Sequence, residues 1–212
     1  MAQTKFEQTV FVVDDDAGVR DSLGLLLGLR GFRTAMFASG EDFLATLRED
    51  WCGCVLIDVK MNGMSGLELQ QRMQEQRILM PAVIITAHGD IASARVALKT
   101  GAVDFLEKPL DEEQLVSAIS SALDRDRRLR SQATAQSDAQ RRIATLSERE
   151  REVMRSIAAG KHNREIAEEL GISPRTVEVY RARLMDKLGV RRLSELITLA
   201  LEAEGNSAPA EP

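Results

Sequence analysis

Asp58 closes the run Cys54-Val55-Leu56-Ile57-Asp58-Val59-Lys60, a short apolar stretch that reads as a buried strand with a carboxylate at its exit. In an open parallel sheet the ligand crevice lies outside the carboxyl ends of the strands, so chemistry is expected there. Three further apolar runs end on polar groups. Val10-Phe11-Val12-Val13 ends on Asp14-Asp15, Ala82-Val83-Ile84-Ile85 on Thr86, and Val103-Asp104-Phe105-Leu106-Glu107 on Lys108-Pro109. Taken singly, each is an ordinary strand-end polar group. Together they suit an acyl-phosphate site. Asp14, Asp15 and Asp58 offer the oxygen ligands that Mg²⁺ takes. Asp58 is the carboxylate nucleophile, with Lys108 and the Thr86 hydroxyl placed to cover phosphoryl oxygens.

The elements that position these groups follow from the hydrophobic pattern. Strands are predicted at residues 9 to 13, 33 to 37, 54 to 58, 82 to 86 and 103 to 106, alternating with helical stretches. Five strands and five helices in the flavodoxin-like order are expected. The first helix, near residues 17 to 30, sets Val19, Leu23, Leu26 and Leu27 at helical spacing. The fourth, from about Ile91 to Thr100, carries Ile91, Ala94, Ala97 and Leu98 on its apolar side, with Arg95 and Lys99 elsewhere.

Residues 1 to about 122 resemble a response-regulator receiver domain, through Val12-Val13-Asp14-Asp15-Asp16, Asp58, Gly63-Met64-Ser65-Gly66, Thr86 and Lys108-Pro109. Thr86-Ala87-His88-Gly89-Asp90 and the run from Gly101 to Pro109 are most similar to the FixJ branch. The resemblance implies that Asp58 is the phospho-acceptor and Lys108 the phosphate sensor. It implies Thr86 and Phe105 as switch residues, and Asp14, Asp15, Asp58 and the backbone carbonyl of Lys60 as the Mg²⁺ ligands. It also implies that phosphorylation biases the surface of the fourth helix, fifth strand and fifth helix toward dimer formation. Lys60 and His88 occupy positions that in receivers border the path of hydrolytic water, which makes them candidates for setting the lifetime of the phosphate. One departure is Asn62, where the family usually has Pro after the Met; Asn tolerates a turn and is expected to change local rigidity only.

The 212 residues suit two modest domains better than one. A whole-chain charge of -5 conceals an asymmetry. Residues 1 to 140 carry 15 Lys and Arg against 21 Asp and Glu, residues 141 to 212 carry 13 against 12, and so only the second part is expected to meet nucleic acid. No apolar run approaches the roughly 18 residues of a membrane span. Met1 to Glu7 lacks a signal-peptide core, so a cytoplasmic location without membrane contact is expected. Cys52 and Cys54, with only His88 and His162 elsewhere, cannot make a four-ligand zinc site; packing at a strand entry is expected of them.

The fifth helix is predicted from Glu112 through Leu115 and Ile119 to Leu123. Residues 124 to 142 lack a core-forming pattern and read as an interdomain linker, either a flexible tether or a continuation of that helix. Beyond it, Leu146-Ser147-Glu148-Arg149-Glu150 has the Ser and Glu of a capping box, followed by Val153, Met154, Ile157 and Ala158 at helical spacing. A second helix runs from about Asn163 to Leu170. Gly171-Ile172-Ser173 turns into a third that starts at Pro174, with Ser173 as its cap. Two helices joined through a short Gly turn match a helix-turn-helix, whose second helix enters the major groove of double-stranded DNA. On that helix Val177, Leu184 and Leu188 read as core. Arg175, Glu178, Val179 and Ala182 are the base-edge candidates, since Glu accepts from a cytosine amino group and the apolar pair can touch a thymine methyl. Arg181, Arg183 and Lys187, with Asn163 and Arg164, suit phosphates. Residues 146 to 200 resemble the LuxR-type helix-turn-helix through Leu146, Arg149, Glu150, Val153, Asn163, Glu165, Ile166, Ala167, Leu170, Gly171, Thr176, Val177, Lys187, Leu188 and Leu196. Thr176 joins the DNA-binding set on that basis. The final helix, about Leu193 to Glu202, is the one that mediates dimer contacts in that family. Glu178 departs from the Lys or Arg often found there, so relatives do not dictate the DNA sequence preferred.

The expected architecture is an α/β flavodoxin-like (βα)5 receiver over residues 1–123, a linker over 124–142, an all-α helix-turn-helix domain over 143–204 and a disordered tail over 205–212. Its expected function is that of a transcriptional response regulator, not an enzyme beyond its own phosphorylation and dephosphorylation. A sensor histidine kinase, a second copy of the chain on phosphorylation, double-stranded DNA and RNA polymerase are its expected partners. A rival from another class is an Mg²⁺-dependent phosphotransfer enzyme working through an aspartyl phosphate, which leaves residues 143 to 200 unexplained. A third reading, a DNA binder indifferent to phosphorylation, leaves the intact Asp14, Asp15, Asp58, Thr86 and Lys108 set without a purpose.

Overall fold

The computed structural model describes residues 8–87, 97 and 99–205. The chain divides into two compact units, one ending at Leu129 and the other starting at Arg130. In the first, β1 (Thr9–Val13), β2 (Arg33–Phe37), β3 (Gly53–Asp58), β4 (Ala82–Thr86) and β5 (Asp104–Glu107) form one sheet in the order β2-β1-β3-β4-β5, every pair parallel. This is the flavodoxin-like order. The helices α1 (Ala17–Leu29), α2 (Gly40–Thr46) and α3 (Gly66–Glu75) connect the first four strands. Of the helix expected between β4 and β5, Ile91, Ala94, Arg95 and Leu98 lie outside the described residues, while Ala97 is buried and Lys99 exposed.

Alternation along the strands splits the core into two layers. Val10, Val12, Cys54, Leu56, Val83 and Ile85 face one side, with Leu23 and Leu27 of α1. Phe11, Val13, Val55, Ile57 and Ile84 face the other, with Phe43, Leu69 and Met73. A sheet buried on both faces explains why its strands read as continuous apolar runs. On the second side Phe11 stacks on Trp51 with ring centroids 4.7 Å apart, and Phe43 meets Phe37 edge-on at 5.4 Å. Both cysteines are buried, as strand-entry packing requires, and burial with the nearby Asp126 charge pushes the Cys54 thiol up to about 12. A thiol at that value is inert at neutral pH.

The segment read as tether or helix is helical: α4 runs without a break from Glu112 to Ala144. Near its start Leu115, Ala118, Ile119, Ala122 and Leu123 pack into the first unit's core, which supplies the apolar stripe. Beyond Leu123 that stripe ends, and Asp126 takes over as an anchor. Its carboxylate accepts from the Gly53 N–H and from Gln8 Nε2, each at 3.0 Å.

In the second unit α5 (Glu148–Ala158), α6 (Asn163–Leu170), α7 (Pro174–Leu188) and α8 (Leu193–Ala203) surround a core of Leu146, Val153, Ile157, Ile166, Val177, Leu184, Leu188, Leu196 and Leu199. The turn between α6 and α7 depends on Gly171, whose left-handed φ of 64° a side chain would resist. Ser173 then caps α7 by accepting from the Thr176 N–H at 3.1 Å. Of the tail expected from Gly205 onward, residues 206–212 lie outside the described residues.

Candidate phosphorylation site and nucleic-acid interface

Strand register assembles the first site. Val13 pairs with Ile57, Asp58 with Ile85, and Thr86 with Glu107, so Asp14, Asp58, Thr86 and Lys108 emerge side by side at one end of the sheet. Asp14, Asp58 and Thr86 are buried there. The ammonium of Lys108 bridges the carboxylates, donating to Asp58 Oδ1 at 2.7 Å and to Asp14 Oδ2 at 2.9 Å. The Lys108 N–H, in turn, donates to the Thr86 carbonyl at 2.7 Å.

The remaining oxygens are also held. Asp58 Oδ2 accepts from the Lys60 N–H at 2.7 Å and Asp14 Oδ1 from the Asp16 N–H at 2.9 Å. Burial pushes the Asp58 carboxyl up, more than the Lys108 ammonium brings it down, and the Asp14 charge adds to the rise. Burial works against the Lys108 charge as well, but Asp58 and Asp14 outweigh it and hold that ammonium above its ordinary range. The loop after Asp58 folds back tightly. The Gly66 N–H donates to the Val59 carbonyl at 3.0 Å, and Glu41 Oε1 accepts from the Met64 N–H at 3.0 Å.

Asp15 stands apart from this pair. Its Oδ2 accepts two hydrogen bonds from one residue, from the Asn62 N–H at 3.0 Å and from Asn62 Nδ2 at 2.6 Å. Asp14, Asp15 and Asp58 were expected to converge as metal ligands. Among the described residues no group of three or more His, Cys, Asp or Glu is arranged to hold a metal ion. Lys108 occupies the space between two of the carboxylates and Asn62 takes the third. The donor chemistry still fits a hard divalent cation, because Asp14 and Asp58 share one ammonium, Asp15 adds a third carboxylate nearby in the chain, and all of these donor atoms are oxygens.

On the second unit, α7 exposes Arg175, Glu178, Val179, Ala182 and Arg183 and buries Val177, Leu184 and Leu188. An apolar side chain such as Val179, 45 % exposed on this helix, is available for contact. Arg181 is half-buried and donates to Asn163 Oδ1 at 2.8 Å, which ties α7 to the start of α6. Arg164 is exposed. The Thr176 hydroxyl shares a 2.8 Å hydrogen bond with that of Ser173. Lys187 is exposed, and its ammonium donates to the buried Glu150 carboxylate at 2.8 Å, a contact not expected of it.

Comparison with known proteins adds to this geometry. The family described as "Response regulator receiver domain" matches residues 10–120, and that described as "Bacterial regulatory proteins, luxR family" matches residues 144–200. The transcriptional regulatory protein FixJ of Bradyrhizobium diazoefficiens is 47% identical over 195 residues, which cover 92% of this chain and 95% of that protein. The chain belongs to the FixJ/NarL-type response regulators. It is a DNA-binding response regulator of a two-component system. Among solved structures, the response regulator StyR matches with a TM-score of 0.79 at 40% identity, covering 92% of this chain and 98% of that one. Full-length FixJ from B. japonicum matches with a TM-score of 0.58 at 44% identity, covering 95% and 98%.

Within this response regulator, Phe105 is half-buried in β5 and packs against the α2–α3 side of the core, one strand from Thr86. The Lys60 side chain is exposed, and His88 lies outside the described residues. Sequence reasoning passed over the contact between Asn62 and Asp15, because a turn residue was expected to act on the backbone alone. It also passed over Glu150 as a buried charge; the capping box hid it, since a cap glutamate is ordinarily exposed. No helix among the described residues is long and apolar enough to cross a membrane.

Proposed function

We propose that a sensor histidine kinase directs phosphorylation of Asp58, that the phosphorylated first unit dimerises, and that the paired helix-turn-helix units then bind a two-fold promoter site and activate transcription with RNA polymerase. The observation that carries this reading is the Lys108 ammonium bridging buried Asp58 and Asp14 at the strand ends. A carboxylate desolvated by burial is a better nucleophile than one in water, and the ammonium beside it supplies the charge that an incoming phosphoryl group needs. Asp58 Oδ1 forms the new P–O bond while the donor's leaving group departs with its electron pair. Asp14, Asp15, Asp58 and the Lys60 carbonyl would hold Mg²⁺, which neutralises phosphoryl oxygens when bound. Lys108 then trades its two carboxylates for phosphoryl oxygens. The Thr86 hydroxyl and the neighbouring Phe105 carry the change along β4 and β5, a local electrostatic event acting on a bistable surface.

On DNA, Arg175, Glu178, Val179 and Ala182 read base edges. Arg164, Arg181 and Arg183, with Asn163 and Thr176, hold phosphates. Lys187 contributes less, being committed to Glu150.

The test compares full-length wild type with Asp58→Asn at fixed salt, with and without Mg²⁺ and a small phosphodonor such as acetyl phosphate. Sedimentation gives the oligomeric state and a fluorescent duplex the affinity; salt is fixed because phosphate contacts make affinity steeply salt-dependent. Wild type alone is expected to dimerise and to tighten on DNA by a factor of about 5 to 150, the usual range of coupling between two sites. Equal binding by both proteins, indifferent to the donor, would show that the first unit is not the switch.

A further inference from the structure

We infer that Asn62 is a latch on Asp15, a positioning residue that holds this carboxylate off the phosphorylation site and thereby sets how readily the site takes a divalent cation. The inference rests on the metal role proposed above for Asp15. Two observations carry it. Both hydrogen bonds from Asn62 fall on the same oxygen, Asp15 Oδ2, one from the backbone N–H at 3.0 Å and one from Nδ2 at 2.6 Å. The three carboxylates, moreover, do not converge among the described residues, although Asp14 and Asp58 lie close enough to share one ammonium.

The chemistry of the latch follows from what each group needs. A half-buried carboxylate draws on the hydrogen-bond donors near it, and hydrogen bonds to an ionised oxygen are about twice as strong as those between neutral groups. Asn62 supplies two such donors from a loop fastened at both ends. Its neighbour Met64 donates its N–H to Glu41 Oε1, and Gly66 donates to the Val59 carbonyl. For Asp15 to join Asp14 and Asp58 around a cation, the Asn62 bonds have to be given up, and that cost is subtracted from the cation's binding. Proline, the residue receivers usually carry after the Met, has neither a backbone N–H nor a side-chain amide. A chain with proline here pays no such cost.

The experiment titrates MgCl₂ into the full-length protein by isothermal titration calorimetry at constant pH and ionic strength. Four proteins are compared: wild type, Asn62→Ala, Asn62→Pro and Asp15→Asn. Melting of the metal-free proteins, followed by Trp51 fluorescence, separates a fold defect from a metal effect. Asn62→Ala removes one donor and is expected to tighten Mg²⁺ about tenfold, the size of one charge-assisted hydrogen bond in an exposed setting. Asn62→Pro removes both donors and is expected to tighten it further. A merely structural role would lower the metal-free melting temperature and leave the dissociation constant where it was. Unchanged or weakened Mg²⁺ binding in Asn62→Ala, with Asp15→Asn impaired, overturns the latch alone. If Asp15→Asn binds Mg²⁺ as wild type does, the metal role of Asp15 fails and the latch fails with it.

Discussion

Gly66 marks the point where the candidate phosphorylation site has no room for a side chain. A Cβ at this position would stand 2.1 Å from the Asp58 carbonyl oxygen and 2.8 Å from Ile57 Cγ2, contacts that only a backbone shift relieves. Because the obstructing atom belongs to Asp58 itself, that shift moves the proposed acceptor. Gly66→Ala is therefore expected to cost about 1 to 3 kcal/mol, the range for overpacking a filled site, and to slow phosphorylation of Asp58. Urea unfolding followed by Trp51 should show a lower midpoint at unchanged slope. Gly28→Ala is the control, since nothing lies within 4 Å of its Cβ position. The same scale shows what a sequence can and cannot disclose. Asp14, Asp58, Thr86 and Lys108 were legible because each ends an apolar run, and the run gives its own end away. Asp126 was not legible. It sits in the charged stretch from Asp124 to Arg130, and the Gly53 N–H that buries it lies 73 positions away. Nothing local distinguishes it from its solvated neighbours.

At the scale of elements, helix starts were readable to within a residue or two, since caps are short-range chemistry. Ser147 and Ser173 each accept from the backbone N–H three residues on, and each opens its helix where a capping residue was expected; Ser65 and Ser39 cap α3 and α2 in the same way, at starts that were not expected in advance. The length of α4 was not readable. Ala and Gln favour helix without requiring it, and a stretch with no apolar stripe offers no periodicity to count. The cap of α5 carries more than a cap usually does. Glu150 Oε2 accepts from the Ser147 N–H at 2.8 Å, from the Ser147 hydroxyl at 3.0 Å and from the Lys187 ammonium on α7 at 2.8 Å. The Lys187 hydrogen bond first, then the Ser147 N–H, draw the buried carboxyl down to about 2 from its ordinary 4.5. A carboxyl whose folded value lies below its unfolded one adds stability that is fully present above about pH 4.5 and is lost as pH falls toward 2. The second unit of wild type should therefore weaken across that interval. Lys187→Met should weaken it already at pH 7 and leave a shallower further loss on acidification. Urea midpoints at pH 7, 4.5 and 3, read from Tyr180 absorption, decide the matter; parallel pH profiles for the two proteins would mean that Lys187 does not set the Glu150 value.

For the molecule as a whole, the question is whether two cores make two cooperative units. Leu23, Leu56, Leu115 and Ile119 belong to one cluster and Ala139, Leu184, Leu188 and Leu196 to another, with no member in common. The division was legible early, from the change in charge balance and the change from strand-like runs to caps and helical spacing. What the sequence left open was that one helix supplies both clusters, Leu115 and Ile119 near the start of α4 and Ala139 near its end. A helix shared in this way ties two units together only as strongly as its middle holds, and Ser131 to Thr134 are exposed. The chain contains one Trp and one Tyr, and they fall one in each unit, Trp51 stacked on Phe11 and Tyr180 packed against the second core. Each core can thus be followed separately. Leu56→Ala and Leu184→Ala remove fully buried side chains and are each expected to cost about 2 to 5 kcal/mol. The first should move only the Trp51 transition in urea and the second only the Tyr180 transition, because a marginal helical segment transmits less than either core is worth. If each substitution moves both transitions together, α4 is rigid enough to make the chain one cooperative unit. A change at the proposed acceptor Asp58 would then have α4 as a path toward α7, the helix proposed to read DNA.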